Sequence, residues 1–315
     1  MARSGPNANH VVSPQYQLQA QHWRGSTILE MSPTPETFLV EDDGLICPVV
    51  RKWAESKYRL LFLYDELFAT GMKYKWDRRV YIDLYAGAGH SKVQGTDRIL
   101  KGSPVLALTV SHPFDKYIFC EEDKELLDAL KIRAKRVSPE ADVAYIQGSC
   151  DDQIDEICKS VPQPSFTNKV LCLCLVDPFD FGIKFDTIRR LSKFFTDFVV
   201  LLAIGMDANR NYDHYVDGNS TKIDEALGNT EWRQRWNDLG GRRSEFRQFL
   251  AAEFSKSMES LGYLHQELDQ MKLVRSDDKN LPLYYLAMFS RHTTAGKFWQ
   301  DVLKYGTDQS SFSWG

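Results

Sequence analysis

Two short segments of this sequence join an acidic residue to a sharp turn of the chain. In DLYAGAG, Asp83 is followed by Gly87 and Gly89. Glycine lets backbone N–H groups and a ligand approach each other closely, so this turn suits a nucleotide-like cofactor. In VDPFDFG, Asp177 is followed by a proline and a phenylalanine. A rigid turn of this kind suits the positioning of a polar substrate group beside an aromatic ring.

Both turns follow apolar runs that alternate with amphipathic segments. The predicted strands are 78–86, 115–121, 142–148, 169–177 and 197–205, with helices between them. Such alternation requires right-handed crossovers and a mostly parallel sheet. The carboxyl ends of parallel strands share one edge, where folds of this class bind their ligands. We therefore expect the two turns to meet at that edge.

The sequence predicts an α/β chain with a Rossmann-like fold, in which a mostly parallel twisted sheet carries helices on both faces. In chain order, the predicted units are an N-terminal arm that is partly disordered (1–48), a cofactor-binding core with a leading helix (49–206), a helical insertion or lid (207–262), and C-terminal strands and a helix that complete the core (263–315). Helical spacing of apolar residues places the leading helix from about Val49 to Ala69, with Gly71 at its end.

Composition restricts the classes of function. The net charge is −4, so a nucleic-acid surface would have to be a local patch. No apolar run approaches the roughly 18 residues of a membrane helix. The N-terminal residues are polar and lack the apolar centre of a signal peptide, which predicts a soluble cytoplasmic protein. The six cysteines include no C-x-x-C pair, so no metal site is predicted.

The glycine turn favours one cofactor over another. The dinucleotide fingerprint needs a third glycine where Lys92 stands, which argues against NAD. Glu121 ends the second predicted strand, where a carboxylate accepts both hydroxyls of a ribose. A loop is predicted from His90 to Gly102. The next helix therefore begins only at Ser103, and its dipole is not available to a phosphate. S-adenosylmethionine has no pyrophosphate and needs carboxylates near its ammonium and its ribose, so it is the predicted cofactor.

The third predicted strand ends IQGSCDD at the same edge, and Ser149 or Asp151 is the candidate to contact the adenine amine. The residues predicted to bind the cofactor are Asp83, Tyr85, Gly87, Gly89, Glu121, Ser149 and Asp151. A mononucleotide-type fold whose pocket is no longer used remains the alternative.

The VDPFDFG turn is similar to the Asp-Pro-Pro-aromatic turn of amino-group methyltransferases, with a phenylalanine in place of the second proline. In those enzymes a polar side chain accepts hydrogen bonds from the target amine while the ring stacks on the base. Asp177, Pro178 and Phe179 are therefore the predicted catalytic residues. In the alternative, Asp180 or Asp186 begins the next helix and Asp177 is only structural.

Two other constellations lead to different functions. Residues 231–249 interleave five arginines with aromatic residues, which suits single-stranded nucleic acid. Helices with their aromatic residues turned inward explain the same pattern, and we favour that interpretation. Glu122 and Lys124 after a strand, together with Asp83, suggest a magnesium-dependent nuclease. We disfavour this function because an acidic residue followed by lysine is common at a helix start.

Taken in order, several segments resemble the three-Cys-motif partner (TcmP) family over most of the chain, from about residue 53 to 305. The matching pieces are a helix with Trp53, Lys57 and Tyr64, then YIDLYAGAG, GSPVLAL, IFCEED, QGSCDD, VDPFDFG, Asn209-Arg210-Asn211, and LYYLAMFSRH with Gly296 and Trp299. The family usually has Phe at Tyr85, Pro at Ala88 and Asp at Ser149.

The resemblance implies a class I methyltransferase fold and a companion protein that has three cysteines and a radical-SAM-like character. It also implies mobile or phage-related gene neighbourhoods, for which a nucleic acid is a plausible substrate. Lys57 and Arg210 become the candidate substrate-binding residues. The expected function is S-adenosylmethionine-dependent methylation of an amino group. The alternative is a non-enzymatic partner subunit of the three-Cys protein.

Overall fold

A computed structural model describes residues 33–205, 211–276 and 280–306. The described strands are β1 (Leu39–Val40), β2 (Val49–Val50), β3 (Arg78–Asp83), β4 (His90–Val93), β5 (Ile99–Lys101), β6 (Lys116–Glu121), β7 (Val143–Gln147), β8 (Val170–Val176), β9 (Thr196–Leu202), β10 (Lys272–Arg275) and β11 (Pro282–Phe289). The described α-helices are α1 (Pro35–Phe38), α2 (Ala54–Met72), α3 (Ser103–Leu108), α4 (Lys124–Val137), α5 (Ile154–Ser160), α6 (Phe185–Leu191), α7 (Tyr212–Val216), α8 (Lys222–Leu227), α9 (Trp232–Asp238), α10 (Phe246–Ser260) and α11 (Thr293–Gly306).

Seven of the described strands form the main sheet, in the order β10-β11-β9-β8-β3-β6-β7. The strands from β9 to β7 are parallel, whereas β11 runs antiparallel to both β9 and β10. Numbered along the chain, this sheet reads 3-2-1-4-5-7-6 with the seventh strand reversed. That topology is the class I methyltransferase fold, so the predicted fold class is confirmed. The central strand β8 is buried along its whole length, as its unbroken apolar sequence predicts.

Helices cover both faces of the sheet. One face is packed by α2, α3, α4 and α11, and the other by α5, α6, α8, α9 and α10. On the first face, Tyr64 of α2 and Trp299 of α11 meet edge to face with their ring centroids 5.7 Å apart. On the second, Phe254 of α10 packs against Phe181 and Phe185 at 6.2 and 6.1 Å. The first contact joins α2 to α11. The other two hold α10 against α6 and the turn that precedes it.

The described part of the predicted lid, residues 211–262, is mainly a second helical layer. Helix α10 lies between β9 and β10 in the chain, and its buried residues pack with those of the sheet. Trp232, Trp236 and Phe246 are buried. The inward-facing interpretation of residues 231–249 therefore holds, because these rings are not available to stack on nucleic-acid bases. Amphipathic spacing alone does not distinguish a lid from a layer helix.

The described part of the N-terminal region contains helix α1 and strands β1 and β2. A second sheet of four strands, β1-β5-β4-β2, joins this region to a hairpin that replaces the predicted loop after the glycine turn. Val49 lies in β2, paired with Lys92, so the leading helix begins at Ala54 and runs one residue past Gly71. These short strands carry too few residues to show a period-2 pattern. None of the described helices is long and apolar enough to cross a membrane.

Candidate functional site

The carboxyl edge of the sheet brings four strand ends together. Asp83 at the end of β3 pairs in register with Phe119 of β6 on one side and Leu175 of β8 on the other. Glu121 ends β6 beside Gln147 of β7. The glycine turn, the Glu121 carboxylate and the turn at Asp177 therefore lie around one edge, as the strand pattern predicts.

Gly87 and Glu121 are joined directly. The Gly87 N–H donates to Glu121 Oε2 at 2.7 Å, and the Asp123 N–H donates to Oε1 at 2.9 Å. Gly87 has a φ of 61°, and a Cβ built on it would meet nothing within 4 Å. The turn therefore presents open space next to a carboxylate. Because a carboxylate accepts up to about four hydrogen bonds, Glu121 retains capacity for further donors.

Gly89 has the opposite environment. Its φ is 78°, and an added Cβ would lie 2.9 Å from Leu130 Cδ1 and 3.0 Å from Val105 Cγ2. Its carbonyl accepts a hydrogen bond of 2.7 Å from the Gly102 N–H, which closes the base of the β4–β5 hairpin. Gly89 thus packs the turn against α3 and α4, whereas Gly87 leaves it open.

Asp83 is fully buried beneath the turn. Its Oδ1 accepts the Tyr85 N–H at 3.1 Å. Its Oδ2 has no hydrogen-bond partner among the described residues. Burial raises the pKa of Asp83 to about 7, partly offset by a hydrogen bond from Ser103. Asp83 therefore carries a proton over much of the acidic range, and its unpaired oxygen is one polar group that a ligand or a water molecule would satisfy.

An arginine that the sequence did not single out holds the turn in place. Arg133 on α4 is 2% exposed and forms a bidentate ion pair with Asp43, at 2.9 and 2.6 Å. It also donates to the carbonyl oxygens of Ala88 at 2.7 Å and Ile46 at 2.9 Å. The hydrogen bond from Arg133 lowers the pKa of Asp43 to about 2. One buried guanidinium thus ties the N-terminal segment to the glycine turn.

His90 lies against this ion pair, with Nδ1 3.8 Å from Asp43 Oδ2. Burial, and next the nearby Arg133 charge, lower the pKa of His90 to about 4. The imidazole is consequently neutral at neutral pH and does not compete with Arg133 for the carboxylate.

Asp177 and Lys57 form a second ion pair at the same edge. Lys57 Nζ lies 2.6 Å from Asp177 Oδ2, and both side chains are largely buried. The Lys57 ammonium is also 4.8 Å from the ring of Tyr58 and 5.6 Å from that of Trp53. Burial, the largest single influence, lowers the pKa of Lys57, but the charge and hydrogen bond of Asp177 together with Tyr58 and Asp83 outweigh it, so the pKa is raised. The structure therefore brings together a predicted catalytic and a predicted substrate-binding residue.

Tyr284 completes this cluster, and the sequence analysis did not predict it as a site residue. It lies at the start of β11, and because β11 is antiparallel its first residues reach the carboxyl edge. Its ring meets that of Trp53 edge to face at 5.1 Å. Its hydroxyl is buried and has no hydrogen-bond partner among the described residues. Burial, and next the Asp177 charge, raise its pKa, so it remains a neutral hydroxyl near the Lys57–Asp177 pair.

The remaining residues of the VDPFDFG turn differ in exposure. Pro178 is buried, whereas the Phe179 ring is fully exposed at the rim of the site. Asp180 forms an ion pair with Lys222 at 2.8 Å. Asp186 is the second residue of helix α6, although neither its side chain nor that of Asp180 caps the helix.

The cap of α6 is provided by Asp151. Its carboxylate accepts the Lys184 N–H at 3.2 Å and the Thr187 hydroxyl at 2.5 Å. Ser149 is half-buried, and its carbonyl accepts the Gln153 N–H at 2.9 Å at the start of α5. The carboxylate of Asp151 is thus engaged away from the glycine turn, and Ser149 remains the candidate for adenine.

Tyr85 turns towards the same strand end. Its hydroxyl shares a hydrogen bond with the Cys150 thiol, and burial raises the pKa of Tyr85. Arg210, the other predicted substrate contact, lies outside the described residues. Across residues 33–205, 211–276 and 280–306, no three His, Cys, Asp or Glu side chains are grouped so that they could hold a metal ion.

Known structures match this chain only at low sequence identity and low TM-score. No family model and no curated protein matches the chain. Among solved structures, TYW2 from M. jannaschii in complex with AdoMet is 10% identical, with a TM-score of 0.40 over 81% of this chain and 87% of that one. Trm1 from Pyrococcus horikoshii with S-adenosyl-L-methionine is 6% identical, with a TM-score of 0.41 over 82% of this chain and 63% of that one.

An O-methyltransferase from Bacillus cereus in complex with SAH is 10% identical, with a TM-score of 0.38 over 88% of this chain and 96% of that one. At such identities and TM-scores, these likenesses assign neither a substrate nor a cofactor to this chain. The class of fold rests on the strand order of the sheet itself.

Proposed function

We propose that this protein is an S-adenosylmethionine-dependent methyltransferase. The observation that carries the proposal is the Gly87–Glu121 pair, in which an open glycine turn and a carboxylate with spare hydrogen-bonding capacity lie side by side. In this fold the first two strands end at the place where a nucleoside binds.

The residues of the turn fit this cofactor. Glu121 would accept the ribose hydroxyls, while the open face of Gly87 allows close approach of the backbone. The buried Asp83 lies below the turn, and Ser149 is the candidate for the adenine amine. The cofactor supplies a methyl group on a positively charged sulfur, which an uncharged nucleophile accepts directly.

The acceptor would bind at Asp177. Lys57 occupies one oxygen of the Asp177 carboxylate, so the other is available to accept a hydrogen bond from a target amine. Phe179 is placed to stack on a planar group that carries this amine. A nucleic-acid base combines a planar ring with an exocyclic amine, and it is the substrate class that we propose.

Calorimetric titration with S-adenosylmethionine tests the cofactor assignment. We expect Glu121→Ala to weaken binding by about 1.5–3 kcal/mol, because hydrogen bonds to a charged group are lost. Glu122→Ala is the matched control, since Glu122 is a neighbouring exposed carboxylate. Absence of heat with pure protein, both alone and with its companion, would refute the proposal.

Methyl transfer tests the acceptor assignment separately. Asp177→Asn should leave cofactor affinity within about threefold of the wild type and lower transfer to an amine-bearing oligonucleotide by about tenfold, since the target amine loses a charged acceptor. The variant also removes the counter-charge of the buried Lys57, so a melting temperature close to that of the wild type is the control for an intact turn. Loss of cofactor binding in this variant would assign Asp177 to the cofactor instead.

A partner subunit without catalytic activity is the second candidate. The observation that favours it is the engagement with α6 of Asp151, the carboxylate predicted to contact adenine. The three-Cys companion would then be the functional ligand. Co-purification with that companion, combined with no S-adenosylmethionine binding by the complex, would favour this function.

A further inference from the structure

The opposite, amino-terminal edge of the sheet carries a surface that the proposed methyl transfer does not use. We define the rear patch as residues 73–76, Arg78, Lys169, Lys193 and Phe195. Each member immediately precedes, or lies at the start of, β3, β8 or β9, which are neighbours in the sheet. Adjacent strands are about 4.8 Å apart, so these segments lie side by side.

Contacts among the described residues confirm that the patch is continuous. The N–H groups of Asp77 and Arg78 both donate to the Lys169 carbonyl, at 3.0 and 3.1 Å. The rings of Trp76 and Phe195 are 5.4 Å apart. The three strand approaches are therefore held together by backbone hydrogen bonds and ring packing.

Aromatic side chains are unusually exposed here. Tyr74 is 90% exposed and Phe195 is 59% exposed. Large apolar side chains left in water in one place commonly mark an interaction surface. Because Trp76 supports Phe195 from one side, the Phe195 ring is held in place.

The charges of the patch are positive. Lys73, Lys75, Arg78, Lys169 and Lys193 contribute cations, and within the described ranges none of them forms a salt bridge. Lys73 Nζ lies 3.3 Å from His112 Nδ1 and 5.2 Å from the Tyr74 ring centroid. Asp77 is the acidic residue within this segment, and its carboxylate accepts the Lys169 N–H at 2.8 Å. The patch thus keeps a net positive charge on a chain whose total charge is −4.

We propose that the rear patch binds single-stranded nucleic acid. Unpaired cations match a phosphate backbone, and exposed rings offer faces on which unpaired bases stack. An acidic protein would use the cations, but a single-stranded nucleic acid also offers a planar base at every residue for Tyr74 to stack on. Strand β3 spans six residues, or about 20 Å, so the patch is a contact remote from the glycine turn.

Binding of a fluorescein-labelled oligonucleotide of about 16 nucleotides to the full-length protein tests this surface, in thymidine and uridine versions and without S-adenosylmethionine. Because the assay contains no cofactor, a lack of oligonucleotide binding is distinguishable from a lack of the proposed methyltransferase activity. We expect Lys73→Ala/Lys75→Ala to weaken binding about 10- to 100-fold, and to reduce the slope of log K against log salt by about 1.4.

Tyr74→Ala should weaken binding about 5- to 150-fold without changing the salt slope, and Tyr74→Phe should retain affinity because the ring remains. The charge-matched control is Lys124→Ala/Lys131→Ala, which removes two exposed lysines from α4. No binding of either oligonucleotide would overturn the proposal. An equal loss of binding in the control variant would also overturn it. A Tyr74→Ala variant that binds both oligonucleotides, and a polyglutamate peptide, as tightly as the wild type does would overturn it as well.

Discussion

The two turns at the carboxyl edge are built differently. The glycine turn is held from several sides, by Glu121, by the buried Asp83 and by Arg133. The VDPFDFG turn is held by the Lys57–Asp177 and Asp180–Lys222 ion pairs and by the buried Phe181, but the Phe179 ring at its centre is fully exposed. A turn that is fixed before its ligand arrives loses little entropy on binding, whereas an exposed ring can adapt to its partner.

This difference assigns separate tasks to the two turns. The glycine turn is preorganised for one constant ligand, which suits a cofactor. The Asp177 turn offers an anchored carboxylate beside the exposed Phe179 ring. This arrangement suits a target amine that is presented in varying molecular surroundings. Changing the residues that hold each turn should therefore affect stability at the first and recognition at the second.

The largest effect is expected at Arg133. Arg133→Ala should lower the free energy of unfolding by about 3–5 kcal/mol, since it leaves the Asp43 carboxylate and several carbonyl groups without their donor. Arg136→Ala is the matched control, because Arg136 is more than half exposed and contacts the same carboxylate at 3.3 Å; about 1 kcal/mol or less is expected. Equal losses in urea denaturation would show that the buried guanidinium does not hold the turn.

Protonation of Asp83 gives the next effect. Its pKa is about 7 when folded against 3.8 as the ordinary value, so the folded state binds more protons between these limits. The contribution of Asp83 to stability is therefore full below about pH 3.8 and is lost as pH rises through 7. Asp83→Asn should be more stable relative to the wild type at pH 8 than at pH 4.5, by roughly 2–4 kcal/mol.

Urea denaturation across this pH range measures that difference. Asp197 also has a folded pKa of about 7, but it lies at the amino-terminal edge of the sheet. Asp197→Asn is therefore the control that separates the pH dependence of stability caused by any buried acid from the pH dependence caused by Asp83 at the turn. Parallel stability curves for the wild type and Asp83→Asn would disprove the assignment.

The two glycines should then differ from each other. Gly89→Ala is expected to cost about 2–3 kcal/mol, because a positive φ adds to close contacts with Leu130 and Val105. Gly87→Ala should cost only about 1 kcal/mol, from its positive φ, yet reduce cofactor binding by filling the open space. Thermal unfolding and calorimetric titration of both variants distinguish a packed glycine from an open one.

The smallest effect on stability is expected at Phe179. Phe179→Ala should change the free energy of unfolding by no more than about 0.5 kcal/mol, since the ring contributes little to the core. Transfer to a base-containing acceptor should nevertheless fall, while cofactor affinity stays constant. A clear loss of stability would show that the ring packs within the turn and is not free to stack.

The sequence predicted the parts that depend on local pattern. Apolar runs located the strands, and strand ends located the glycine turn, Glu121 and Asp177. The hairpin from His90 to Lys101 was predicted as a loop because its strands are too short to show a period. Residues 207–262 were predicted only as a helical insertion or lid, because an amphipathic pattern does not specify which surface a helix covers.

Contacts between distant positions were harder to predict. Arg133 and Asp43 are 90 residues apart, and Lys57 and Asp177 are 120 residues apart. Lys57 was selected only through a family resemblance, and Tyr284 was not selected at all. A single sequence carries no periodic signal for such pairs, because they are produced by the order of strands in the sheet.

The Arg133–Asp43 contact also bears on how the chain is made. Asp43 emerges from the ribosome well before its partner, since 90 residues separate them. At about 5–20 residues per second, the N-terminal segment waits several seconds for the guanidinium that secures it. We therefore expect proteases to cleave the glycine turn in nascent chains that end before Arg133, and to cleave it more slowly once Arg133 has left the ribosome.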